Sequence, residues 1–245
     1  MCIRDSDYEW DKTLIKAVAK DINGPVLELA SGTGRLTQPI LELGLEYKGL
    51  ELSQPFLDRA KMKFGGDADF ILGDMRDFDL QMEFDLIFIG FNSFLHNLKI
   101  EDAINCLACI KKHLTKNGKF LVSIFIPDPI FLYREKGELF PATDFFQYQE
   151  STCRIMEKNK YDSISQINLL TWVIERDGEL DPTEYNYRMR MYYPHEMDIL
   201  LSDNGFTIME KFGNYQRDPM DSNSCLLYTS PSPRDATLSR MPSSA

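Results

Sequence analysis

Five short apolar runs, near residues 26–30, 47–52, 69–72, 84–90 and 119–126, alternate with segments of helical apolar spacing at 10–20, 35–44, 54–64 and 100–115. Strands separated by helices do not pair as hairpins, because each crossover carries the chain back to the same end of the sheet. The alternation therefore predicts a mostly parallel sheet with helices on both faces, an α/β fold of the doubly wound kind. Asn117-Gly118 reads as the stop of the helix before the fifth strand. After residue 127 the rhythm changes. Pro127, Pro129 and Pro141 interrupt the chain, and aromatic and β-branched residues then dominate to residue 193, with a turn signal at Asp177-Gly178. This stretch, 127–193, reads as an antiparallel β insertion, after which a helix over 194–203 and a strand over 206–212 rejoin the main sheet.

In an open parallel sheet, ligands sit beyond the carboxyl ends of the strands, near the point where strand order reverses. The residues that end each run are thus the informative ones. The first run leads into VLELASGTGRLT at 26–37, a buried strand that carries Glu28, a Gly32-Thr33-Gly34 turn and the start of a helix at Arg35. Backbone N–H groups at such a helix start attract anions, although Gly-x-Gly also serves plain packing at strand-to-helix turns. The second run ends in GLELS, which sets Glu51 where a carboxylate can accept both hydroxyls of a ribose. The third ends in GDMRDF, where Asp74 can accept from an exocyclic amine and Met75 can pack on a purine. The fourth brings Asn92, Ser93 and His96 to the same rim. Glu51 and Asp74 each also suit a helix cap, but four consecutive strand ends with this chemistry define one adenosine-shaped site.

With these motifs in order and spacing, the chain resembles the class I S-adenosylmethionine-dependent methyltransferases, small bacterial type, over nearly all of residues 7–224. The resemblance implies a seven-stranded Rossmann-like sheet with S-adenosylmethionine as cofactor. It carries Glu28 and the Gly32/Gly34 turn to the methionine moiety, Glu51 to the ribose, and Asp74 and Met75 to adenine. Ala30, Arg35, Leu52 and Asn92 fall in the same cofactor surroundings, and Tyr8 covers the cofactor from the N-terminal segment. Ala30 replaces a glycine common in such proteins, a mild departure for so small a side chain. Methyl transfer demands positioning and exclusion of water more than acid–base work. An oxygen nucleophile would also need a base, for which His96 is the candidate. The insertion would wall a small-molecule acceptor. A non-catalytic cofactor-binding module is the alternative of a different class. A nicotinamide-dependent oxidoreductase is disfavoured by Thr37 at the third glycine position, and a P-loop by the lack of Gly-Lys-Ser/Thr.

A formal net charge of -11 over 245 residues, with no basic run longer than Lys111-Lys112, argues against a nucleic-acid surface. The chain has no apolar stretch of membrane-spanning length and no signal-peptide core, so a cytoplasmic enzyme is expected. Cys106-Leu107-Ala108-Cys109 sits in a helical pattern without partner ligands and reads as core packing rather than a metal site. The ends obey another logic. CLLYTS at 225–230 can be encoded by DNA whose reverse complement encodes the MCIRD of the start, the inverted repeat of a translated sequencing-library adapter. Residues 1–6 and 225–245 are therefore expected to be adapter-derived. Leu226, Leu227 and Tyr228 favour β structure and can enter the slot of a final strand, whereas the proline-bearing remainder should stay irregular.

Overall fold

Val26–Leu29 (β1) is buried at all four positions, the condition of a central strand with neighbours on both edges and helices on both faces. Its neighbours are the parallel strands Tyr47–Glu51 (β2) and Phe84–Ile89 (β4). The computed structural model describes residues 10–220, 224 and 226–233. Asp69–Leu72 (β3) extends the sheet beyond β2, and Leu114–Phe125 (β5) extends it beyond β4, giving five parallel strands in the order β3-β2-β1-β4-β5. Order reverses between β1 and β4, so the switch point opens at their carboxyl ends.

Alternation along each strand feeds two apolar layers. Ile87 and Ile89 join Leu27 and Leu29 on one face, while Leu86 and Phe88 join Val26 on the other. The second layer packs against Trp10–Ala19 (α1), Thr37–Leu41 (α2) and Gln54–Phe64 (α3). The first packs against Ile100–His113 (α4) and Pro194–Asp203 (α6). Cys106 lies fully buried in that first layer, the packing role its helical setting predicts.

The strand after α4 starts earlier than the sequence indicates. Asn117-Gly118 does not end a helix: α4 stops at His113, and both residues lie inside β5. The glycine is needed there because a Cβ at Gly118 would lie 2.9 Å from the Phe84 carbonyl oxygen of the adjacent strand.

After the short helix Pro129–Leu132 (α5), the chain leaves the main sheet for a second one built of Phe140–Pro141 (β6), Phe146–Tyr148 (β7), Ser151–Asp162 (β8), Ile167–Arg176 (β9) and Glu179–Arg190 (β10). All its pairings are antiparallel, and Asp177 and Gly178 turn the β9–β10 hairpin with φ of 51° and 86°. Phe206–Phe212 (β11) returns to the main sheet. Between β11 and β5 runs Leu226–Pro233 (β12), antiparallel to both, which completes a seven-stranded sheet in the order β11-β12-β5-β4-β1-β2-β3. The expectation that Pro231 and Pro233 stay irregular is thereby corrected. They pair with Ile208 and Phe206 of β11, beyond the point at Thr229 where pairing with β5 ends. A proline there faces one neighbouring strand instead of two.

Candidate functional site at the switch point

Glu28 is buried at 4% exposure, and the Tyr47 hydroxyl donates to its Oε2 at 2.6 Å. Burial, only partly offset by Tyr47 and Arg35, raises the Glu28 pKa to about 8. The chain then turns sharply. Ala30 has φ 56°, Gly32 59° and Gly34 76°. The difficulty at Ala30 is therefore one of conformation and not of size, since a left-handed backbone carries strain for any residue with a Cβ. Gly32 has nothing within 4 Å of where its Cβ would stand and opens on a cavity. Gly34 faces inward, where a Cβ would lie 2.6 Å from the Phe64 ring. The second glycine thus serves packing, the first the site. Arg35 follows, its guanidinium paired through both terminal nitrogens with buried Asp11 of α1, which ties that helix to the turn.

Glu51, at the end of β2, accepts from the Gly32 N–H through Oε2 and from the Ser53 N–H through Oε1, both at 2.8 Å. One backbone donor per oxygen leaves each with accepting capacity, the arrangement a ribose diol requires. Next to it Leu52 is 64% exposed, an apolar side chain lining a cavity with Gly73, Asp74 and Met75. Asp74 itself is engaged. Arg76 donates to it from its backbone N–H and from Nε, both at 2.9 Å to Oδ1, and from Nη2 at 2.5 Å to Oδ2. That partnership holds the Asp74 carboxyl below the usual carboxylate range.

Beyond β4 the backbone is strained twice in succession, at Phe91 (φ 47°) and Asn92 (φ 67°), before the single 3₁₀ turn Ser93–His96. His96 Nδ1 lies 3.1 Å from the Arg188 carbonyl of β10. A carbonyl only accepts, so the proton sits on Nδ1 and the lone pair on Nε2. Packing around the ring lowers the His96 pKa, which favours this neutral form.

Three cavities meet here. One of about 280 Å³ is lined by Glu28, Ala30, Gly32, Arg35 and Glu51. A second, about 220 Å³, shares Ala30 and Glu51 with it and adds Leu52, Asp74 and Met75. The third, about 390 Å³, lies under the inserted sheet between Asn92, Phe125, Arg134, Glu157, Trp172 and Tyr187. His96 lines all three. Asn92 thus borders the third cavity and neither of the first two, while Tyr8 lies outside the described residues. Trp172 and Tyr187, conspicuous in sequence only as strand aromatics, form part of the wall, with ring centroids 4.9 Å apart. Arg134 and Glu157 carry no signal in the sequence. The loop after α5 brings Arg134 to Glu157 of β8.

Residues 26–118 match a family described as a methyltransferase domain. The putative methyltransferase YqeM of Bacillus subtilis is 24% identical over 206 residues, covering 82% of this chain and 79% of that protein. In fold, the CcbJ methyltransferase from Streptomyces caelestis matches with a TM-score of 0.78 at 24% identity, over 93% of this chain and 90% of that one. SAM-bound CalS10, an amino pentose methyltransferase from Micromonospora echinaspora, matches with a TM-score of 0.68 at 17% identity, over 94% of each chain. Together with the site these findings support a methyltransferase domain over residues 26–118, in a chain whose fold is that of S-adenosylmethionine-dependent methyltransferases.

Proposed function

We propose that the chain methylates a small-molecule acceptor that binds in the cavity beneath the inserted sheet. What supports this reading is the meeting of the three cavities at His96, two along the strand ends and one under the insertion. The cofactor fits the first two by the chemistry of their walls. Glu51 retains acceptor capacity for the ribose hydroxyls, Leu52 and Met75 offer apolar surface to the adenine, and Glu28 with the open Gly32 turn receives the methionine end. Bound there, S-adenosylmethionine supplies an electrophilic methyl group. Asp74 would receive the adenine amine only as Arg76 yields part of its hold.

The protein's own contribution is to position the acceptor in line, exclude water and, where the nucleophile carries a proton to be lost, accept it at His96 Nε2. An acidic chain and a cavity of about 390 Å³ favour a small molecule over a nucleic acid. CalS10 is described as acting on an amino pentose, which makes amine-bearing metabolites the first class to assay here. The test incubates the protein with methyl-labelled S-adenosylmethionine and a fractionated small-molecule pool. Label transfer to a low-mass product supports the reading; tight cofactor binding with no transfer to any fraction would instead identify a binding module.

A further inference from the structure

The third cavity contains a charged group that methyl transfer itself does not require. Arg134 lies in its wall, with its guanidinium 4.7 Å from the Phe131 ring centroid and 4.6 Å from that of Phe140. Nη1 stands 3.5 Å from Glu157 Oε1, an ion pair too long to be a hydrogen bond of ordinary strength. Among the described residues the guanidinium has no hydrogen-bond partner. Two aromatic rings and one carboxylate hold it, and its remaining N–H donors are unspent.

Glu157 is the other candidate for contact with an acceptor, and the geometry decides between them. Its Oε2 already accepts from Trp172 Nε1 at 2.7 Å, and its side chain is 9% exposed against 26% for Arg134. The carboxylate is thus recessed behind the guanidinium and steadied by the indole. Trp172, Glu157 and Arg134 form a chain of contacts along one wall of the cavity. A planar cation held on its faces and at one nitrogen presents its other edge in a fixed direction, the preorganisation that two-point recognition of an anion demands.

We infer that Arg134 is the specificity-determining residue of the acceptor cavity, and that the acceptor carries an anionic group, a carboxylate or a phosphate, set apart from the atom that is methylated. Glu157 is a positioning residue for Arg134. This rests on the reading of the third cavity as the acceptor site. It also accounts for the aromatic lining, which packs the body of a molecule anchored at one end by Arg134 and approached at the other by His96.

Four probes of one shape test it by calorimetry on the whole chain saturated with S-adenosylhomocysteine: phenyl phosphate, phenylacetate, benzylamine and benzyl alcohol. The two anions should bind, one more tightly than the other, which names the acidic group; the amine and the alcohol should bind roughly tenfold or more weakly. Arg134→Met should lose about tenfold or more in affinity for the anions while its affinity for S-adenosylhomocysteine stays unchanged. Arg134→Lys, which keeps the charge and the aliphatic stem, should fall between, and serves if the methionine variant does not fold. Glu157→Gln should weaken the anions less than Arg134→Met. Benzylamine binding more tightly than the anions, or anion affinity unaltered by loss of Arg134, would overturn the inference. So would binding of S-adenosylhomocysteine with no response to any probe, which leaves the methyl-transfer reading standing. Failure to bind S-adenosylhomocysteine at all would remove both.

Discussion

At the scale of single residues, three carboxylate and imidazole groups carry testable consequences. The Glu28 carboxyl has a folded-state pKa of about 8 against an ordinary value of 4.5. Between those values the folded chain keeps the proton that the unfolded chain has lost, so stability falls as pH rises through this window and levels off above it. Glu28→Gln removes the slope. Urea titrations should find variant and parent alike near pH 4.5 and the variant more stable at pH 8.5, by on the order of a few kcal/mol; parallel pH profiles would refute it. Glu51 is expected to hold the ribose while bracing Gly32 and Ser53, so Glu51→Ala should weaken S-adenosylhomocysteine binding by roughly 1–3 kcal/mol. Unchanged affinity in calorimetry would confine Glu51 to the brace. His96 as base predicts turnover that declines as pH falls through a value below the ordinary imidazole range, because the cavity walls around the ring desolvate it and lower its pKa. His96→Asn should abolish that acid limb; an identical limb in the variant would exclude the role.

At the scale of elements, the strands of the main sheet were legible because their signal is local. Each is a short apolar run bounded by polar or glycine positions, and β3 and α3 have the bounds the sequence indicates. The residues at their carboxyl ends follow automatically, which is why Glu28, Glu51, Asp74 and His96 could be assembled on one rim beforehand. Long-range partners left no such trace. That Asp11 neutralises Arg35 and that Glu157 stands behind Arg134 both depend on how separate elements pack. The junction between the two sheets is of the same kind. Tyr192, just after β10, is fully buried and donates its hydroxyl to the Asn97 carbonyl at 2.6 Å, while Arg188 in β10 holds the His96 ring. The insertion thus fixes the turn that bears His96. Tyr192→Phe leaves a buried acceptor without its donor, expected to cost about 1–3 kcal/mol in denaturant unfolding. It should also lower turnover more than cofactor affinity. A variant with parental stability and turnover would show that the turn holds itself in place.

At the scale of the whole molecule, the sheet depends on its last strand. β12 lies between β5 and β11 and pairs with Val122–Phe125 of the one and with Phe206–Ile208 and Lys211–Phe212 of the other, so the backbone groups of those residues that face the slot find partners through it. Pairing with β5 covers Leu226 to Thr229 against Phe125 to Val122, and pairing with β11 shifts register between Ile208 and Lys211. Both ladders are short, and the two prolines donate to neither. The slot is therefore filled, though by a strand with fewer hydrogen bonds than its length allows. Deletion of residues 226–245 would leave β5 and β11 with facing open edges in the body of the molecule. The expected loss is roughly 0.5–1.5 kcal/mol for each ladder hydrogen bond removed, read as a lower urea midpoint. Two unpaired edges also template contact between chains, so the shortened protein should associate in size-exclusion chromatography at concentrations where the parent does not. The rim at β1, β2 and β4 lies on the other side of β5 from this slot, and cofactor affinity measured well below the unfolding transition should be retained. An unchanged midpoint with an unaltered elution volume would mean that β5 and β11 close on each other without the strand, and that the sheet is complete at six.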